Sequence, residues 1–245
     1  MPLSAHLDHL RVVLVATRNP LNIGAAARAL SNFGCPHLRL VQPFEASFRE
    51  ARSAVGAADI LCNAREYPTI ADAVADCTLV VGTTAGRNRD LQQALRPLPQ
   101  ASTLIRKRLA AGPVALLFGS EKRGLSTEDL TFCHWLLRIP TREAHPSMNL
   151  GQAVAVCLYE LSRAAPAKPG PQDSRPSAAQ LLRMEELLFE SLEASGYVKP
   201  RAGAATQEKI RLLLRRAQFT AADAETWTGM LRKISGQLQR DKDRR

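Results

Sequence analysis

Four stretches of this sequence set polar side chains and glycine or proline directly after an apolar run. They are TRNPLNIGAAAR (17–28), GTTAGRNRD (82–90), GSEKRGLS (119–126) and IPTREAHPSMNLG (139–151). The third is close to a phosphate-binding loop, because Gly119 and Gly124 follow the apolar run PVALLF. A nucleoside-triphosphate loop would continue with lysine and a hydroxyl residue, so that the lysine reaches the terminal phosphates. Here Leu125 and Ser126 follow Gly124, and Lys122 sits inside the loop. That argues against a triphosphate site. No GxGxxG opens the helix after the first apolar run, which argues against a dinucleotide site of the Rossmann type.

Each polar residue in these stretches has an ordinary use beside a chemical one. Asn22 precedes an alanine-rich segment and would serve as a helix N-cap. Gly24 and Arg28 lie one turn apart on one helix face, where a phosphate can approach the backbone and meet a guanidinium. Glu121 reads either as a solvated loop charge or as part of a site. Ser147 and Asn149 stand where an apolar run gives way to a long helix, and capping is their plain reading. His145 and His134 suggest no role.

The elements that hold these stretches are legible from hydropathy. Apolar runs at 11–16, 38–41, 78–83, 113–119 and 134–140 read as strands, several without polar alternation. Strands of that kind are covered on both faces of a parallel sheet. Helical patterns fall at 22–34, ending at Gly34, and at 45–57, 69–76, 100–111 and 148–164. Strands alternating with helices imply an α/β sheet with helices on both faces, which binds ligands outside the carboxyl ends of its strands. Residues 164–177 (AAPAKPGPQDSRPS) read as a linker. Helical patterns resume at 178–194, 205–217 and 220–237. The expected division is a domain over 1–165, a linker over 166–177 and a small all-helical extension over 178–245.

The 245-residue chain carries a net charge of +10. Residues 1–165 hold 18 basic and 13 acidic side chains, whereas residues 201–245 hold 11 and 5. A basic tail of this kind attracts polyanions, nucleic acid first. No run approaches the length of a membrane span, and no secretory signal is visible. Cys35, Cys62, Cys77, Cys133 and Cys157 show no CxxC spacing, so neither a metal site nor a disulfide framework is expected. Reduced thiols in a cytoplasmic setting fit that pattern.

The wording and order of the polar stretches resemble the SPOUT superfamily of RNA methyltransferases, in its SpoU/TrmH branch. The resemblance rests on Asn22-Ile-Gly24-Ala-Ala-Ala-Arg28, on PVALLFGSEKRGLS, and on Ile139-Pro140 followed by Ser147-Met148-Asn149-Leu150 and Ala153-Val154. It spans residues 11–163. Within that branch the VVGTTAGRNR stretch and the helical extension look most like the TrmJ type.

This resemblance implies a deep trefoil knot in the sheet domain, a bent S-adenosylmethionine held by the knot loops, and a homodimer acting on tRNA. The implied reaction is methylation of a ribose 2′-hydroxyl, at anticodon-loop position 32 for that type. Methylation of ribosomal RNA, or a catalytically silent RNA-binding protein of the same fold, are the alternatives. The implied catalytic set is Arg28, Asn22, Glu121, Ser147 and Asn149. Cofactor contacts are implied at Thr83, Thr84, Ala85, Gly119, Gly124, Ile139, Pro146, Ser147 and Met148, and RNA contacts at Arg28, Arg87 and Arg89. Because arginine stays protonated in proteins, Arg28 is expected to stabilise the developing alkoxide rather than to act as a base.

Overall fold

A computed structural model describes residues 7–44, 56–86, 91–163, 175–199 and 201–243. The chain divides into two compact units, residues 1–173 and 174–245.

The first unit is built on a seven-stranded, all-parallel sheet. Its strands are β1 (Leu10–Val15), β2 (His37–Val41), β3 (Arg65–Tyr67), β4 (Leu79–Thr83), β5 (Leu95–Pro97), β6 (Val114–Phe118) and β7 (Trp135–Arg138). Their spatial order is β3-β2-β1-β6-β4-β7-β5. The helices are α1 (Pro20–Phe33), α2 (Ala58–Cys62), α3 (Ile70–Ala73), α4 (Leu98–Leu109), α5 (Thr127–Thr131) and α6 (Leu150–Ser162). Central strands are sealed on both faces: Val12 and Leu14 are fully buried, and so is Val13 between them. Val12 and Leu14 share a core with Ile23 and Leu30 of α1, Ile105 of α4 and Leu158 of α6. Such double burial explains the absence of polar alternation in these runs.

All five strands expected from apolar runs are present. β3 and β5 were not expected, and both lie at sheet edges. They are short, half exposed and polar (REY and LRP), so they carry no run for hydropathy to find. Proline is tolerated in β5 because an edge strand need not donate on both sides. The helix expected at 69–76 is cut to α3, and α2 and α5 are additional short helices. The helix expected at 45–57 lies almost wholly outside the described residues. Gly34 caps α1 at φ 66, a left-handed conformation that suits glycine. The strand order accords with the knotted topology that the resemblance implies.

Helices α1 and α6 pack tightly: a Cβ added at Gly151 would collide with the side chain of Ala25. Cys35, Cys77, Cys133 and Cys157 are buried and Cys62 is exposed, all as free thiols. Burial pushes the thiols of Cys35 and Cys157 up to about 12, so both act as small apolar side chains.

The second unit has three described helices, α7 (Ala178–Ala194), α8 (Gly203–Arg216) and α9 (Ala221–Asp243). Ser177 and Gln180 form a capping box that starts α7. Leu181, Met184, Ile210, Leu214 and Ala224 make a small core. Beside it the carboxylate of Glu185, 1% exposed, accepts from Nε of Arg211 at 3.0 Å and from Nη2 at 2.8 Å. None of the described helices in either unit is long and apolar enough to cross a membrane.

One ion pair fastens the underside of the sheet. Arg39 of β2, 9% exposed, grips Asp76 with Nη1 at 2.6 Å and Nη2 at 2.9 Å, and Nη1 also donates to the Ala73 carbonyl at 2.7 Å. Burial alone would raise the Asp76 carboxyl. The Arg39 hydrogen bonds and charge, helped by Cys77 and Arg11, outweigh it and hold the group well below the usual carboxylate range. A depressed folded-state value contributes stability above the ordinary aspartate pKa, and that contribution fades as pH falls toward the folded value. Asp76→Asn is therefore expected to lower the melting temperature at pH 7 and to flatten its dependence on pH below about 4. Thermal unfolding across an acid series checks this; parallel curves for the two proteins would contradict it.

Candidate functional site

The carboxyl ends of β1, β6, β4 and β7 open onto one cavity of about 570 Å³. That is within the range of small-molecule sites. Its apolar wall includes Phe118, Leu125, Leu137, Ile139 and Leu150. From β4 come Thr83, Thr84 and Ala85. Thr83 Oγ1 donates to the Leu117 carbonyl at 2.9 Å, and the Thr84 N–H donates to the Leu137 carbonyl at 3.0 Å. These bonds fasten the β4 end to both neighbouring strands. The loop after β7 contributes Pro146, Ser147, Met148 and Asn149. Thr141 Oγ1 donates to the Pro146 carbonyl at 3.2 Å and gathers that loop.

The β6 loop supplies Gly119 to Gly124. Ser120 and Gly124 pair as an isolated antiparallel bridge, and the Gly124 N–H donates to the Ser120 carbonyl at 2.8 Å. Gly124 turns the chain at φ 66. Any Cβ at Gly119 would overlap the main chain of Gly124 and Leu125. The glycines of this segment thus fold a loop back on itself, a use different from cradling a triphosphate.

A chain of hydrogen bonds joins three of these loops. The side-chain amide of Asn149 donates from Nδ2 to Asn22 Oδ1 at 2.8 Å. Asn22 donates from Nδ2 to Glu121 Oε1 at 2.9 Å. The Asn19 N–H reaches Oε1 at 3.1 Å and the Arg18 N–H reaches Oε2 at 3.4 Å. Asn149 Oδ1 also caps α6 by accepting from the Gln152 N–H at 3.3 Å. An ionised carboxylate only accepts, so it dictates which way both amides point. Partial burial pushes the Glu121 carboxyl up, but donors from Asn22, its own backbone, Asn19 and Arg18 outweigh this and lower it below the usual range. Glu121 is therefore charged at neutral pH.

Two sequence expectations change here. The cap of α1 is Asn19, whose side chain accepts from the Leu21 N–H at 2.9 Å. Asn22 sits inside the first turn, 7% exposed, with its amide committed to Glu121 and Asn149. Gly24 is buried, so no phosphate approaches the backbone there.

The cavity gathers Asn22, Glu121, Ser147 and Asn149 together with all nine positions expected to touch a cofactor. It does not include Arg28. That residue is exposed on α1, and its guanidinium lies against Gly56. Arg87 and Arg89 lie outside the described residues. Arg18 was missed as a site-loop residue, because nothing in the sequence relates it to Glu121, which is 103 positions away.

Comparison with known proteins matches residues 9–159 to the SpoU rRNA methylase family. The chain belongs to that family. It is 34% identical over 243 residues to a tRNA (cytidine/uridine-2′-O-)-methyltransferase TrmJ of Klebsiella pneumoniae, covering 94% of this chain and 98% of that protein. It is 35% identical over 240 residues to a tRNA (cytidine/uridine/adenosine-2′-O-)-methyltransferase TrmJ of Pseudomonas aeruginosa, covering 92% and 93%. Among solved structures, TrmJ from Z. mobilis aligns with a TM-score of 0.80 at 31% identity, covering 91% of this chain and 98% of that one. This SpoU-family member is thus an RNA 2′-O-methyltransferase.

Replacing Glu121 by Gln would put one N–H₂ group among converging donors. Glu121→Gln is expected to cost about 0.5–1.5 kcal/mol of stability, the net scale of a hydrogen bond lost where solvent can reach the donors. Urea unfolding measures it, and an unchanged midpoint would show that the carboxylate does not organise the loops.

Proposed function

We propose that this protein methylates a ribose 2′-hydroxyl in tRNA at anticodon-loop position 32, using S-adenosylmethionine, as a cytoplasmic homodimer. The single observation that carries the reading is the cavity at the carboxyl end of the sheet, where Asn22, Glu121, Ser147 and Asn149 meet within the span matched to the SpoU family. The similarity to tRNA-acting TrmJ proteins over nearly the whole chain favours tRNA over ribosomal RNA.

The cavity fits the cofactor on its own terms. Its volume suits a nucleoside with a short amino-acid tail, and its apolar side, with Leu125, Ile139 and Leu150, suits an adenine ring. S-adenosylmethionine, when bound, supplies a methyl group already activated on a sulfonium.

The chain must then deal with a ribose hydroxyl, a very weak acid. Glu121 is a poor base, because the donors around it hold its carboxyl low. Its role in this reading is to position Asn22 and Asn149, so that Ser147 and the start of α6 stand at a defined place on the wall. Arg28 is the group that can stabilise negative charge on the attacking oxygen. It lies off the cavity wall of its own chain, on an exposed line of α1 with Leu21, which is 78% exposed, and Ala25. Tyr159 of α6, the neighbouring helix, is 57% exposed. The proposed homodimer pairs two chains across this face, with each Arg28 serving the partner's cavity. The basic helix α8, with the other lysines and arginines of residues 201–245, is proposed as a further contact with the RNA backbone.

Methyl transfer to unmodified tRNA and ribosomal RNA, with the modified nucleotide mapped, tests the reading; methylation of ribosomal RNA alone would overturn it. Arg28→Ala is expected to slow transfer by about a hundredfold, the scale of losing one transition-state donor. Mixing Arg28→Ala and Asn149→Ala chains should restore about a quarter of normal activity, because statistical pairing gives mixed dimers one intact site. No recovery would place Arg28 in its own chain's site. Truncation after residue 173 should leave S-adenosylhomocysteine binding intact. It should weaken tRNA binding, with a shallower salt dependence by about 0.7–0.9 per lost phosphate contact.

A further inference from the structure

Glu121 does more than orient two amides. Its carboxylate draws in the backbone N–H groups of Arg18 and Asn19, so the β1–α1 loop is clasped to the β6 loop. This brings Arg18 next to the turn that carries Lys122 and Arg123. All three basic side chains are exposed. Among the described residues, the charged side chains on the cavity wall are Glu121, Lys122 and Arg123. The negative one accepts hydrogen bonds from the Asn22 amide and from the Asn19 and Arg18 backbone. With Arg18 beside Lys122 and Arg123, the rim sets three cations against one hydrogen-bonded carboxylate, so its net charge is positive.

The turn that presents Lys122 and Arg123 is also fixed. The Ser120–Gly124 bridge closes its base, and the close approach at Gly119 leaves the loop no room to slide. Its cations thus stand on a short, closed turn at the mouth of the cavity. A rim of this kind matches one part of the substrate. Any ribose whose 2′-hydroxyl enters the cavity carries a phosphodiester on the adjacent 3′ carbon and another through its 5′ carbon. Those phosphates must stay at the mouth while the hydroxyl goes in.

We propose that Arg18, Lys122 and Arg123 form a phosphate-binding rim that holds the phosphodiesters flanking the target ribose of the RNA. The inference rests on the reading of this cavity as the methyl-transfer site. The rim positions substrate and does not touch the transferred group. Its effect belongs in substrate affinity and not in turnover. Because phosphates are common to every nucleotide, it also works without regard to base identity.

The test uses full-length protein with the exposed side chains removed singly: Arg18→Ala, Lys122→Ala and Arg123→Ala. Arg18→Ala keeps the backbone N–H that Glu121 accepts. Steady-state methyl transfer to a tRNA transcript is measured across a salt series, alongside direct tRNA binding by fluorescence anisotropy and S-adenosylhomocysteine binding by calorimetry. Each variant is expected to raise KM and the tRNA dissociation constant by about tenfold, the scale of one charge-assisted contact. kcat should stay within about twofold and cofactor affinity should not change. The slope of log affinity against log salt should fall by about 0.7–0.9 per variant. The swaps Arg18→Lys, Lys122→Arg and Arg123→Lys should recover most of the loss, which a purely structural role would not predict. Unchanged tRNA affinity and salt slope in all three alanine variants would overturn the proposal. So would lost S-adenosylhomocysteine affinity with normal tRNA binding, since the cations would then serve the cofactor carboxylate. If the normal protein methylates no RNA, the methyl-transfer reading falls, and the anisotropy series still decides whether the rim binds phosphate.

Discussion

A single carboxylate organises the open end of this sheet. Glu121 is the terminal acceptor of a chain running from Asn149 through Asn22, and it also accepts from two backbone N–H groups at the start of α1. Because it can only accept, every donor around it has one allowed orientation. Asn22 must turn its amide nitrogen toward the acid and its oxygen toward Asn149. Asn149 must then turn its nitrogen inward and its oxygen toward the cap of α6. Loops from β1, β6 and β7 are thereby locked to one another by a group that stays charged at neutral pH.

The lock works only because the strands beneath it are immovable. β1 and β6 lie side by side at the centre of the sheet, and their side chains are buried on both faces. Tight contact between α1 and α6 at Gly151 and Ala25 holds the two helices whose first turns carry Asn22 and Asn149. A pair of amides at 2.8 Å tolerates little helix displacement, so this contact and the polar chain above it depend on each other. On the underside, the grip of Arg39 on Asp76 ties β2 to the segment leading into β4. One carboxylate therefore organises each of these two places in the sheet, Asp76 with Arg39 and Arg11, and Glu121 with its amide and backbone donors. Only the one at the carboxyl end faces a cavity.

Much of this was legible in the sequence. The apolar runs gave the buried strands in their right places, since double burial leaves few polar residues in a strand to blur the signal. The polar stretches after them marked the loops of the cavity, where Asn22, Glu121, Ser147 and Asn149 meet while Arg28 does not. The edge strands β3 and β5 were not legible, because half-exposed strands as short as REY and LRP have no hydropathy of their own. Asn22 looked like a helix cap and is not one. Asn19, three residues earlier, takes that task and leaves Asn22 to the polar chain.

By itself, then, the sequence determined the strand-and-helix alternation, the separate basic helical segment and the set of loops that carry chemistry. All of these follow from local hydropathy and from residue types within short windows. The tertiary structure decided how those loops are joined. The clasp between Arg18 and Glu121 spans 103 positions, and the bond between Asn149 and Asn22 spans 127. It also decided that Arg28 faces outward while its motif neighbour Asn22 faces in. A helix turns residues six apart to different sides, and only the packing of α1 on α6 chooses which side meets the cavity.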